Sequence, residues 1–259
     1  MKKQHIILPM ILALAVVFTA VGQGTDQHTF TPQGKLIVNG INKISFEGYD
    51  GNEVVISTTI KSSSKSERAE GLKLINGSGL EDNTGIGISI VESGGNTEME
   101  ELSRRSSRRY VVKVPKSVTV VYEHSTPHGS TVVFSKIRGE IEVKTNHSKV
   151  ELRDVTGPMT VSTVHGKIEG DFSSLNQDGP ISIASSHGLI DISLPADTKA
   201  NVKLGSGWGE IYSDFDIEFE TRSGSLKSYS SNEVRGTLNG GGVDFSAKSS
   251  HGNVYLRKK

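Results

Sequence analysis

One short block returns about every 20 residues through the second half of this 259-residue chain. GEIEVKTNHSKVELRDVTG spans 139–157, PMTVSTVHGKIEGDF 158–172, PISIASSHGLIDISLP 180–195, NVKLGSGWGEIYSDF 201–215 and VDFSAKSSHGNVYLRKK 243–259. Each block reads as a strand, a tight turn at or near His-Gly, and a second strand. The turn positions are His128, His147, His165, His187, Trp208 and His251, spaced by 19, 18, 22, 21 and 43 residues, the last being about two periods. A period near 20 is the mark of a solenoid, in which each repeat buries its apolar face only by stacking on its neighbours. Within the blocks apolar residues alternate with polar ones, as in Ile141/Val143, Val150/Leu152, Ile181/Ile183 and Ile190/Ile192, so one face is buried and one is wet. Ile141, Val161, Ile181 and Val202 suggest one aliphatic column. Val150, Ile168, Ile190 and Ile211, continued by Val254, suggest a second.

The expected fold is therefore all-β: a parallel β-solenoid, single-stranded β-helix-like, of stacked short strands. The alternative is an antiparallel β-sandwich, in which His-Gly and Asp50-Gly51 would be hairpin turns. Composition agrees with many short strands, at 34% hydrophobic and 6% aromatic with 29 glycines. With 29 basic and 29 acidic residues there is no basic excess of the kind phosphate neutralisation requires, so no nucleic-acid partner is expected. The absence of cysteine excludes disulfides, thiolate-ligated zinc and a lipid-modified cysteine.

Residues 1–22 read as a signal peptide, with Lys2 and Lys3 before the apolar run Ile6 to Val17 and small Ala20 and Gly22 after it. The other reading, a membrane anchor, needs roughly 20 apolar residues, more than this run offers. The mature chain is thus expected to be exported, to the periplasm or cell surface, without a transmembrane segment. Residues 23–34 are polar and expected to be flexible. Residues 35–259 are expected to form one β-repeat domain, irregular over 35–109 and regular over 110–259. In the irregular part, LKLI (72–75) and IGISIV (86–91) read as strands, 61–70 as a loop and 93–109 as irregular; the charged ends Arg257, Lys258 and Lys259 would blunt a sheet edge.

Four stretches carry a family resemblance: GKLIVNGINKISFEGYDGNEVVIS, RYVVKVPKSVTVVYEHS, the repeats, and ISLPADTKANVKLGSGWGEI. In this order the chain resembles the bacterial "putative adhesin" family of exported, Gly-rich β-strand-repeat proteins. The resemblance spans roughly residues 35–259. It implies a β-repeat fold and, loosely, adhesion. The departure is the residue before the turn glycine, mostly histidine here where the family has a small or polar residue.

Two groups of residues are candidate sites. His128, His147, His165, His187 and His251 would stack, and imidazole ligates zinc, copper or nickel and titrates near neutrality. The competing reading is conformational, with histidine tolerating a positive φ before the glycine. Arg104, Arg105, Arg108 and Arg109 would grip an anionic glycan, phosphate or headgroup, or else sit in a solvated loop neutralised by Glu98, Glu100 and Glu101. On 214–220, Asp214, Asp216, Glu218 and Glu220 share one face, as in a calcium site or in any half-buried strand.

No catalytic signature is present: no GxSxG, HExxH or P-loop, and the three glycines of NGGGV open no helix. A polysaccharide lyase would need long loops to build a cleft, and the connections in 139–215 are short. The expectation is a non-enzymatic adhesion-type binding protein without a cofactor, meeting a glycan or a cell-envelope protein, with self-association at its ends. The alternative is a periplasmic sensor or regulatory partner.

Overall fold

The computed structural model of the chain describes residues 26–58, 68, 71–103, 107–219 and 232–259; the expected signal peptide, nearly all of the 61–70 loop, Arg104, Arg105 and Glu220 lie outside the described residues. The strands are β1 (Asp26–Phe30), β2 (Leu36–Asn39), β3 (Ile44–Tyr49), β4 (Val54–Thr58), β5 (Ile88–Ser93), β6 (Asn96–Glu101) and β7 (Tyr110–Pro115). There follow β8 (Val120–His124), β9 (Val132–Ser135), β10 (Ile141–Thr145), β11 (Val150–Val155), β12 (Met159–Thr163), β13 (Ile168–Phe172) and β14 (Ile181–Ser185). The last are β15 (Ile190–Leu194), β16 (Ala200–Ser206), β17 (Ile211–Ser213), β18 (Glu218–Phe219), β19 (Asn232–Leu238), β20 (Val243–Ser249) and β21 (Val254–Lys258). Among the described residues there is no α-helix, and no helix long and apolar enough to cross a membrane.

The strands form two mixed sheets. One has ten strands in the order β1-β4-β7-β3-β9-β11-β13-β15-β21-β17, the other eleven in the order β18-β19-β16-β20-β14-β12-β10-β8-β2-β6-β5. From β8 to β17 successive strands alternate between the sheets, so each pair, such as β10 with β11, is one coil of a solenoid-like stack. β10 pairs in parallel with β8 and β12, and β11 with β9 and β13. The His-Gly turns are therefore corners between sheets and not hairpins.

Inward residues of both sheets share one core, since alternation turns every second side chain inward. Phe46 of β3 meets Tyr122 of β8 edge-on across the core at 6.1 Å, and Phe172 of β13 meets Phe245 of β20 at 6.2 Å. Each fully buried aliphatic or aromatic side chain contributes roughly 1.5–3 kcal/mol. The second expected column is present: Val150, Ile168, Ile190, Val254 and Ile211 stand in register. The first is corrected by two residues. Ile141 stands beside Met159, and Val161 lies between Val143 and Ile183. An even shift keeps the same side chains inward, so the alternation alone leaves it open.

The spatial order of coils departs from chain order at the C-terminal end. β20 and β21 lie between the coil of β14 and β15 and that of β16 and β17. Asn239, Gly240 and Gly241, all with left-handed φ, carry the chain across the start of β16 from β19 on one side to β20 on the other. Asn239 Nδ2 fixes this passage by donating to the carbonyls of Ala196 and Thr198 at 3.1 and 2.8 Å. Arg257, Lys258 and Lys259 thus leave an interior strand and guard no edge; Arg257 pairs with Asp191 and Lys259 with Asp171.

Antiparallel strands close the stack: β19 on β16, β5 on β6, and β4 on β7. Part of the segment expected to be irregular is therefore ordered, because Gly94 and Gly95 take positive φ and turn β5 into β6 as a hairpin. LKLI forms no strand beyond a bridge between Ile75 and Glu81, and its Leu72, Leu74 and Ile75 are exposed. Within 23–34, Asp26–Phe30 is a strand and not a flexible tail, since it finds the open edge of β4.

Candidate functional site

The corners after β12, β14, β20 and β16 are built from one local pattern. The last strand residue is a buried hydroxyl: Thr163, Ser185, Ser249 and Ser206. Its oxygen accepts from the amide three residues on, that of Gly166, Gly188, Gly252 and Gly209, at 2.8–3.1 Å. Ser185, Ser249 and Ser206 also donate to the carbonyls of Gly166, Gly188 and Gly252 in the adjacent coil, at 3.2, 2.9 and 3.0 Å. The corners are thus zipped together by a ladder of hydroxyls. Thr145, at the start of the series, has Ser148 in the glycine position, and its Oγ1 finds no partner among the described residues.

The same stacking explains the glycines. A Cβ on Gly166 would collide with the Ser148 carbonyl, and one on Gly188 with the Gly166 carbonyl. Neither glycine has a positive φ, and nor do the histidines before them; the non-glycine residues with positive φ are Lys136, Asp154 and Asn239 among the described residues. The conformational reading of the histidines is therefore corrected: close approach of stacked carbonyls demands glycine, and the residue before it points outward.

That outward residue forms a column of rings. His147 and His165 are 4.6 Å apart, His165 and His187 4.7 Å, and His187 and His251 4.5 Å between centroids. Trp208 follows on His251 at 6.4 Å with planes 10° apart. Backbone bonds hold the spacing, with the amides of His165, His187, His251 and Trp208 donating to Asn146, Val164, Ser186 and Ser250 at 2.7–3.0 Å. All five rings are exposed, Trp208 by 83%. The order His187–His251–Trp208 follows from the inserted coil. His128 is outside the column. Its loop is longer, so Thr126 stands in register with His147 and no ring contact joins His128 to His147.

Near-parallel stacking turns ring faces toward one another and leaves ring edges outward. Nitrogen lone pairs lie in those planes and do not converge between rings, and among the described residues no three His, Asp or Glu side chains are grouped to hold a metal ion. His251 Nδ1 lies 3.1 Å from the Ser186 carbonyl, which fits a protonated Nδ1.

One histidine that the repeat pattern does not single out is buried. His124 occupies the hydroxyl position in register with Thr145 and is 2% exposed. Its Nε2 lies 3.2 Å from Thr126 Oγ1 and its Nδ1 3.5 Å from Ser148 Oγ. Burial holds its pKa below the ordinary histidine value.

The other expected constellations are dispersed. Of the arginines, Arg104 and Arg105 lie outside the described residues, Arg109 is exposed, and Arg108 turns in beside Gly87 and Tyr110. Asp214 accepts from the Lys258 amide at 2.6 Å and Glu218 from Thr237 at 3.2 Å, so the acidic row is split between neighbours. Asp216 and Glu218 of this row, with Ile211, Phe215, Ile217 and Val234, line an open cavity of about 490 Å³. On the outer face Glu233 is held down to about 2 by Lys248, with Arg235 adding to the effect.

The ladder's hydroxyls are a feature the repeat reading missed. Their signal is a Ser or Thr three residues before each turn glycine, as in Thr163/Gly166 and Ser185/Gly188.

Comparison with known proteins agrees with the repeat pattern. A family model described as Toastrack DUF4097 matches residues 132–257, which bears out the family resemblance over that span. No curated protein matches the sequence. Among solved structures, one of a "putative cell adhesion protein" from Clostridium sporogenes ATCC 15579 is similar with a TM-score of 0.45 at 14% identity, covering 91% of this chain and 99% of that one. Another, of a "putative adhesin" from Bacteroides fragilis NCTC 9343, is similar with a TM-score of 0.38 at 10% identity, covering 92% and 98%.

Proposed function

Taking residues 132–257 as a Toastrack DUF4097 domain, we propose that this protein is an exported, non-enzymatic binding protein of the adhesion type. In this reading residues 1–22 are a signal peptide and 35–259 one domain. The architecture is a parallel solenoid with antiparallel caps, a reading supported by the parallel pairing of every strand from β8 to β15 with its neighbours in the stack.

The observation that carries the functional reading is the exposed ring column His147–His165–His187–His251–Trp208 on a corner locked by the hydroxyl ladder. Catalysis brings different groups to one point; this corner repeats one kind of group along a line, which suits an extended partner such as a glycan or a cell-envelope protein. Ring positions fixed by the backbone lose little freedom on binding.

The test is binding of the purified chain to a glycan panel and to solubilised envelope proteins, with Trp208→Ala and His187→Ala alongside. Binding that falls in both variants supports the reading; binding unchanged in both overturns it. Protease treatment of intact cells carrying a tagged copy separates a surface role from a periplasmic sensor.

A further inference from the structure

The four histidines of the ring column are alike in chemistry, spacing and exposure, and this says more about the ligand than a single exposed ring would. We propose that the histidine column is a protonation-dependent rail for a linear anionic polysaccharide lying along the stack axis, an inference that rests on the binding reading above.

Three observations lead there. First, the rings follow one another at 4.5–4.7 Å over four successive coils. A small ligand would touch one or two of them, whereas a polymer parallel to the axis meets all. Second, stacking hides the ring faces and presents the edges, which carry nitrogen. A neutral imidazole has one N–H donor and an imidazolium two, so protonation turns the row into a line of cationic donors suited to carboxylate or sulfate oxygens. Third, histidine is the side chain whose charge ordinarily changes between about pH 5 and 8. A polyanion that binds the charged row better than the neutral one favours its protonation, so proton binding and polymer binding strengthen each other reciprocally.

The flanking charges permit this. Lys144, exposed on β10 three residues before His147, makes no ion pair among the described residues. Lys149 and Lys167, just past the corner, hold Glu151 and Glu169 at 2.6–2.7 Å, and Arg257 holds Asp191. Lys248, three residues before His251, pairs with Glu233, and Glu210 bonds to Tyr212. Glu123, exposed on β8, stands in register with Lys144. Glu151, Glu169, Asp191 and Glu233 are thus paired with cations, while Glu123 and Glu210 keep their charge. At the end of the row, Trp208 offers a ring face to a sugar.

The experiment uses the full chain with polygalacturonate as the anionic probe and dextran as the neutral one, at pH 5.5 and 7.5. Binding of polygalacturonate tightens roughly tenfold or more at the lower pH, weakens with added salt, and loses its pH dependence in His147→Gln/His165→Gln/His187→Gln/His251→Gln. His187→Gln alone, with melting as a folding check, loses part of it. Equal binding at the two pH values, no binding at pH 5.5, or an undiminished pH dependence in the fourfold variant overturns the rail. Single-stranded DNA of matched charge binding as tightly overturns the polysaccharide assignment. If dextran or an envelope protein binds in a Trp208-dependent way while polygalacturonate does not, the rail falls and the adhesion reading stands; if no variant alters any binding, both fall.

Discussion

Ser249 Oγ donates to the carbonyl of Gly188 at 2.9 Å and accepts from the amide of Gly252 at the same distance. One buried hydroxyl thereby joins residues 61 apart in sequence and closes its own turn. Ser249→Ala removes the partner of a buried carbonyl, at a cost of about 1–3 kcal/mol, and of the half-buried Gly252 amide. Denaturant unfolding should show a loss in that range or above, while Ser249→Thr, which copies Thr163, should stay near wild type. A neutral Ser249→Ala would mean the ladder contributes nothing.

Gly188 tests the other half of the corner. Its Cβ would run into the Gly166 carbonyl, and its φ is one that alanine accepts, so the cost is purely steric. Gly188→Ala should destabilise by about 2–4 kcal/mol. Gly77→Ala, in open space, should be close to neutral. Similar melting points for the two variants would contradict the close-approach account.

These two positions show how much the sequence disclosed. The alternation in Ile190/Ile192 and the 20-residue period were enough for stacked two-strand coils, because burial of one face dictates both. The histidine spacing showed that His147, His165, His187 and His251 share a position. It misled for His128, whose longer loop keeps the spacing while losing the register. The insertion of β20 and β21 was hidden, because Val254 fits the column equally well at its end or inside it. The glycines read as turn formers, yet their need for a missing side chain arises only once the carbonyl of the next coil is in place.

His124 makes stability depend on pH. Its folded pKa lies below the ordinary value near 6.5, so as pH falls past 6.5 the unfolded chain takes up a proton before the folded one does. Above that value this residue imposes no penalty; below it stability declines until the folded pKa is reached. Melting between pH 7.5 and 4.5 should show this decline, and His124→Thr, matching Thr145 and Thr163, should make the slope shallower. An unchanged slope in the variant would remove His124 as its source.

The inserted coil gives the sharpest test of the fold. In a solenoid whose coils follow chain order, removing the last 21 residues would strip an end and leave the rest intact. Here residues 239–259 supply β20 and β21, the strands on which β16 and β17 rest. A chain ending at Leu238 should therefore lose β16, β17 and β19 as well, since they no longer reach β14 and β15. Hydrogen exchange should find Val202 and Leu204 unprotected in the truncated chain, while Val143 and Val161, several coils away, remain protected. Continued protection of Val202 would mean that β16 docks directly on β14, and that the stack tolerates the missing coil.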